Sequence, residues 1–585
     1  MNRKSLILAC AILLTILIIP VACQQPRYGG TLVVRINGNP TGFNFAVNPV
    51  VSPYMDIDWQ MFDALVRFDQ NYNIIPGLAE SWKISSDGLT YTFNLRKNAK
   101  WHDGVEFTSK DVKFTFETIL KEKLTRWTNL EMVSSIETPD KYTVVIKLKS
   151  LFAPFLYAVS DEWIGLLISM PAHLYNGTNV KENPYNMKPI GNGPFKFVEY
   201  VKGSHITIER FADYWAPVYL DKQIWRIIPD NMAAVTAMEA GEVQYTEANN
   251  IPEQIETLKK AGFKVESEPV TFMSYIWVNI NRPNLNNKKV RQALWLVINR
   301  EVLARDIYYG HAVPGTSVLA RGVKPFYNAA VEKMYPTTAG DIDKANSLLD
   351  EAGLKKGADG MRFSIEAMFT AGATTTENQL IAMQSMWKKI GVDLKLKPTE
   401  ATTLQSLIGW MKVGVERKFD IVTWGTSTGP DPDLTVYDRY HSNSARNAND
   451  YANPEVDKLL EDQRKVTDPA ERAKLWYKIQ EIMMDELPLF PVLFTNEIYV
   501  WNPDYANPKM SYYRMQQNLR DAWWTKGTVP TTTVTTSQVR TTVTTVPTSP
   551  DLLTPLAVVA VIVVAVVVVW RIRAKPSKKA DTSTK

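Results

Sequence analysis

Residues 419–433 read FDIVTWGTSTGPDPD, and GTSTG within them is a formal match to the G-x-S-x-G of serine hydrolases, with Ser427 in the nucleophile's place. A serine nucleophile needs a base to take its proton and an acid to orient that base. The one histidine downstream is His441, fourteen residues on, with Asp431 and Asp433 lying between. A nucleophile elbow also needs a strand turning sharply into a helix. FDIVTW supplies the strand, but Pro430 and Pro432 oppose an immediate helix. A surface hydrolase built on Ser427 is therefore the minor reading, and no catalytic residue is expected.

Other chemistry-bearing residues are sparse. His102, His173, His205, His311 and His441 are scattered and form no H-E-x-x-H, so no metal site is expected. Gly191-Asn192-Gly193 begins like a dinucleotide loop, yet Pro194 and then a strand pattern follow where a helix is required. The chain has no G-x-x-x-x-G-K-[ST] and so does not hydrolyse ATP itself. Its two cysteines, Cys10 and Cys23, lie in or beside the leader, leaving residues 27–525 without thiol, disulfide or cysteine–metal chemistry. No cofactor is expected.

Strands and helices mix through the stretch that must position any site. TLVVRI (31–36) reads as a buried strand and YTFNLR (91–96) as a half-exposed one. Thr108 to Asp111 reads as a capping box opening KDVKFTFETIL, and PFKFVEY with SHITIER reads as a hairpin around Lys202-Gly203. From 271 onward TFMSYIWVNIN is a strand, and VRQALWLVINREVLARDIYYG predicts one long amphipathic helix ended by Gly310. DIDKANSLLDEAG, NQLIAMQSMWKKIG, VDLKLKP and FDIVTW give helix, helix, strand and strand. Helices at PEVDKLLEDQRKV and PAERAKLWYKIQEIMMDE precede a final strand region, PLFPVLFTNEIYVW. The alternation predicts an α/β fold.

The ends have a different character. Arg3 and Lys4 precede an apolar run to Val21, and Ala22-Cys23 closes a signal-peptide pattern over 1–23. Residues 551–570 are apolar and long enough to span a bilayer, and a basic tail follows at 571–585. The tail carries +5 and the leader +2 of the +5 total, so about −2 remains for the body and nothing points to nucleic acid. Residues 526–550, rich in Thr, Val and Pro, read as a stalk. A single-pass protein of the cell membrane is expected, with its body on the extracellular face.

GLAESWKISSDGLTYTFNLRKNAKWHDGVEFTSKDVKFTFE (77–117), GNGPFKFVEYVKGSHITIERFADYW (191–215), VNINRPNLNNKKVRQALWLVINREVL (278–303) and LPLFPVLFTNEIYVW (487–501) resemble the family 5 extracellular solute-binding proteins, the oligopeptide/dipeptide-type receptors of ABC importers. Leader, stalk and C-terminal span resemble the archaeal cell-surface form with a membrane anchor. The resemblance implies a two-lobed periplasmic-binding-protein type II fold, in the large cluster C form with an extra subdomain in lobe I. Lobe I is then about 27–275 with 486–525 and lobe II about 280–485, the chain crossing near Phe272–Asn281 and Leu487–Tyr499. A monomeric receptor is implied, which takes a small-molecule ligand, peptide or oligosaccharide, into the interlobe cleft and docks on permease subunits served by a separate ATPase. A ligand-sensing surface receptor is the other reading, which the short tail disfavours.

The family's ligand contacts cluster at strand ends facing the cleft. By location the candidates are Trp424, Thr426, Ser427, Asp431 and Asp433, then Tyr440, then Tyr275, Trp277 and Asn279 on the crossing strand, and Asn44. In the family's peptide receptors an Asp shortly after the Trp-type residue binds the ligand's α-amino group. Thr426 or Ser427 stands there in this chain, which puts a simple peptide in doubt. Seventeen Trp and 25 Tyr leave room for aromatic platforms that suit a short oligosaccharide, although many of these rings must be core.

Overall fold

The computed structural model describes residues 26–47, 55–69, 72–161, 165–247, 254–268, 272–338, 340–409, 415–506, 519–525, 530–535 and 538–543. The predicted signal peptide, the 551–570 span and the 571–585 tail lie outside them. No helix of the described residues is long and apolar enough to cross a membrane.

Strand β1 (Thr31–Ile36) is followed by a short helix α1 (Met55–Met61). An antiparallel sheet then forms from β2 (Ala79–Ile84), β3 (Thr90–Leu95), β4 (Val133–Asp140) and β5 (Thr143–Leu148), in the order β2-β3-β5-β4. Helix α2 (Ser109–Glu122) packs on this sheet, and its start is held as the Thr108-x-x-Asp111 pattern predicts, the Thr108 amide donating to Asp111 Oδ2 at 2.8 Å. The chain continues through β6 (Phe195–Val201), β7 (His205–Arg210), β8 (Lys222–Ile227), β9 (Tyr245–Glu247) and β10 (Lys264–Glu268).

A second α/β unit runs through β11 (Phe272–Val278), α3 (Lys288–Leu296), β12 (Ala312–Pro314), α4 (Ile342–Glu351), β13 (Phe363–Thr370), α5 (Thr374–Lys388), β14 (Val392–Thr399) and β15 (Ile421–Ser427). It ends with α6 (Pro454–Gln463), α7 (Pro469–Glu486) and β16 (Leu489–Thr495), after which comes β17 (Glu497–Trp501).

Seven strands make one mixed sheet in the order β10-β17-β9-β1-β8-β7-β6, and six make the other, β12-β16-β11-β15-β13-β14. The chain leaves the first sheet after Glu268 and enters the second at Phe272, then returns across the single residue Asn496. Separate apolar cores match these units. One surrounds the six-stranded sheet, one the four-stranded sheet with α2, and two lie against the seven-stranded sheet.

One local expectation is corrected. The long helix over 290–310 is broken after Leu296, because the Asn299 side chain accepts the Val302 amide at 3.0 Å and starts a new turn. In the Thr-rich stretch the backbone pairs as a hairpin, Pro530–Thr535 against Gln538–Val543, in keeping with the β-branched content.

Candidate ligand-binding site

β11 and β15 run antiparallel with Tyr275 opposite Trp424. Side chains alternate across a sheet, so Tyr275 and Trp277 share one face of β11, and Trp424 and Thr426 share one face of β15. The contacts join these into a single face. Trp277 stacks on Trp424 with centroids 5.6 Å apart and planes at 16°, and Tyr275 meets Trp277 edge-on at 5.4 Å. Trp424 is half-buried while Tyr275 and Trp277 are buried.

The same face carries a cation that sequence reasoning missed. Arg439 donates through Nη2 to Thr426 Oγ1 and through Nη1 to the Thr435 carbonyl at 2.6 Å. Burial pushes the phenols of Tyr275 and Tyr440 upward, and in both the nearby Arg439 pulls the other way. Tyr275, Tyr440 and Arg439 are therefore mutual neighbours. Asp438 precedes Arg439 in the chain and suggests a local ion pair, but Asp438 faces Arg446 at 3.7 Å. Only the fold shows which acid Arg439 lacks.

The remaining candidates serve other ends. Asp431, although expected as a ligand acceptor, is held by both guanidinium nitrogens of Arg472 at 2.5 and 2.8 Å. Asp433 is likewise gripped by Arg464, at 2.8 and 3.0 Å, and by Gln463. Both carboxylates are enclosed, and the pairs bind the segment to α6 and α7. Asn279 donates to the carbonyls of Arg417 and Phe419, at 3.2 and 2.9 Å, bracing the strand end. Asn44 is fully buried among Tyr175, Asn186 and Ser169, with its carbonyl taken by Ser169 and the Ala46 amide. All four side chains are committed to the protein interior.

The GTSTG segment is no open loop. β15 runs through Ser427, and Thr426, Ser427 and Thr428 are buried. A short helical segment does follow, Asp433–Tyr437 and then Asp438–Tyr440, despite the prolines. It begins six residues past Ser427, too late for an elbow. His441 turns Nε2 toward Glu461 at 3.1 Å and accepts the Asn443 amide on Nδ1, so both of its ring nitrogens are engaged with other groups. Gly191-Asn192-Gly193 is equally structural. A Cβ at Gly191 would stand 1.9 Å from the Met61 carbonyl oxygen, and Asn192 Oδ1 accepts the Asp63 amide at 2.7 Å. Those glycines let the turn lie against the end of α1.

The two units touch beyond this face. Glu131 approaches Arg464 at 3.5 Å, the Ala153 amide donates to the Arg464 carbonyl at 2.8 Å, and Leu434 packs into the core of the four-stranded sheet. A pocket of about 220 Å³ opens there between Met132 and Phe152 on one side and Tyr437, Glu461 and Arg464 on the other.

Two α/β units built on separate sheets, exchanged by two chain crossings and meeting at a rim, define a two-lobed binding protein of the periplasmic type. The profile of the bacterial extracellular solute-binding proteins, family 5 (middle), matches residues 73–448, and the chain belongs to that family. It is 28% identical over 563 residues to the oligopeptide-binding protein AppA of Bacillus subtilis, covering 89% of this chain and 99% of that protein. It is 28% identical over 520 residues to the di/tripeptide-binding protein 1 of Pseudomonas aeruginosa, covering 84% and 94%. The structure of Bacillus subtilis AppA in complex with a nonapeptide superposes with a TM-score of 0.74 at 28% identity, over 86% of this chain and 100% of that one. The family is one of solute-binding receptors and not of enzymes.

Proposed function

We propose that this chain captures a peptide between its two lobes and presents it to the permease of an ABC importer. The observation that carries the reading is the continuous face of Tyr275, Trp277, Trp424, Thr426 and Tyr440, at the end of a lobe II strand beside the first chain crossing. Relatives that align along nearly their whole length bind oligopeptides and di- or tripeptides, which favours a peptide over an oligosaccharide. Binding involves no bond chemistry. Lobe closure buries the ligand and shifts an equilibrium between open and closed forms.

On this reading lobe I comprises about 27–275 with 486–525 and lobe II about 280–485. The sequence patterns support a cleaved leader over 1–23, a stalk over 526–550 and an anchor at 551–570. They put the body on the outer face of the membrane and the basic tail inside.

A thermal-shift screen of the full chain against di-, tri- and nonapeptides and against short oligosaccharides tests the function. A peptide raises the midpoint by mass action. A rise with sugars alone would reject the peptide reading. Trp424→Ala should weaken the peptide about tenfold, as expected for loss of a stacked aromatic contact. Unchanged affinity removes Trp424 from the site.

A further inference from the structure

The charge of this face is opposite to what an α-amino group needs. The acids of the segment, Asp431 and Asp433, are closed into buried pairs with Arg472 and Arg464. Arg439, also buried, has no carboxylate partner among the described residues. Its Nε is enclosed without a well-formed hydrogen bond, and so is the Tyr275 hydroxyl, which lies close enough to the guanidinium to feel its charge. A buried charge of this kind is costly unless something pairs with it.

Arg300 provides an internal comparison. It too is buried and held by main-chain carbonyls, those of Gly315 and Pro336, and its Nε also lacks an acceptor. Its guanidinium, however, lies 4.2 Å from the centre of the Trp295 ring, whose π face supplies a compensating field. Among the described residues, Arg439 has neither a ring beneath its guanidinium nor an acid beside it. It has the Thr426 hydroxyl as an acceptor, the Tyr275 hydroxyl near its guanidinium, and the half-buried Trp424 on the same face.

We infer that Arg439 and Tyr275 form an anion subsite for a carboxylate of the bound ligand. The inference rests on the peptide reading above and adds the chemical group read at this end of the cleft. Arg439 Nε and the Tyr275 hydroxyl donate to the carboxylate oxygens, while Nη1 and Nη2 keep the guanidinium fixed on Thr435 and Thr426. The aromatic rings exclude water, which strengthens these bonds. The carboxylate comes from the peptide's C-terminus or from an acidic side chain, and the two sources are separable.

The experiment is calorimetric titration of the full chain with a dipeptide, a tripeptide and a nonapeptide, each as free acid and as C-terminal amide. A third arm uses amides carrying one internal Glu. Wild-type chain should bind the free acid about ten- to hundredfold more tightly than the amide, the range of a charge-assisted hydrogen bond. If the internal Glu restores the lost affinity, the subsite accepts a side chain. If it does not, the C-terminus is the source. Tyr275→Phe, which removes one oxygen only, should narrow the acid–amide gap severalfold, and Arg439→Gln should close it. Should Arg439→Gln fail to fold, the wild-type and Tyr275→Phe titrations still decide the matter.

Equal affinity for acid and amide in the wild-type chain would overturn the anion subsite and leave the peptide reading standing. A gap that persists undiminished in Tyr275→Phe would also overturn it. If no peptide of any form binds, both inferences fall together.

Discussion

Asp431 and Trp424 lie seven residues apart, and substitutions at them are expected to differ in effect. The Asp431–Arg472 pair is bidentate and almost wholly enclosed, so Asp431→Ala strands a buried guanidinium and should cost about 3–5 kcal/mol of stability. Urea denaturation of the variant checks this. Trp424→Ala should cost less, about 1–2 kcal/mol for a half-buried stacked ring, and should reduce ligand affinity as well. A second residue-scale expectation concerns pH. His102 donates or accepts at 3.0 Å to both flanks of the Gly191–Gly193 turn, with Nδ1 taking the Gly191 amide and Nε2 facing the Gly193 carbonyl. Burial, opposed by that carbonyl, lowers its pKa from 6.5 to about 4. The unfolded chain then takes up the proton first as pH falls. Stability from this group is complete above about pH 6.5 and is lost progressively down to about pH 4. The loss is on the order of 2 kcal/mol for a half-buried ring. Denaturation of wild type and His102→Gln across that interval should show a shallower pH slope in the variant, and parallel slopes would refute the assignment.

At the scale of elements, α2 shows how a sequence signature turns into a measurable contribution. Asp111 accepts the Thr108 amide through Oδ2 and, through Oδ1, the Ala172 amide at 3.1 Å, so it caps its own helix and anchors the next segment. Asp111→Ala should destabilise by about 2 kcal/mol, above the ~1 kcal/mol of an ordinary cap, and Asp111→Asn should recover part of it. The cap was legible because its partners lie three residues apart. β15 was legible from FDIVTW for the same reason, its apolar residues alternating locally. The break in the helix pattern over 290–310 was harder to read. Nothing in the periodicity of VRQALWLVINREVLARDIYYG marks Asn299, because an asparagine caps only if the chain has already turned there.

Over the whole molecule, a few contacts at the rim join the two units. Arg464 is shared between Asp433 in its own lobe and Glu131 across the rim, and its guanidinium lies 3.3 Å from the centre of the Tyr437 ring. Truncating Arg464 would also strand Asp433, so Glu131→Gln is the cleaner probe. It should raise the ligand off-rate severalfold and enlarge the ligand-free radius of gyration in solution scattering, with little change in melting midpoint. An unchanged off-rate and radius would show that Glu131 does not hold the lobes together.

The alternation of strand and helix patterns and four ordered family-like segments sufficed for the α/β class and the receptor family, because periodicity and short capping motifs are local properties. The same sequence also offered a face of aromatic and hydroxyl residues at the end of FDIVTW. Which polar groups remain for a ligand was decided only by tertiary structure. Asp431 and Asp433 look available in the chain, yet each is consumed by an arginine that is 41 or 31 residues distant. Asn44 and Asn279 are taken up by carbonyls and side chains from remote segments. Arg439 looks paired beside Asp438 and is not. Charge pairing depends on distances in space, and long-range contacts set those distances only once both sheets have formed.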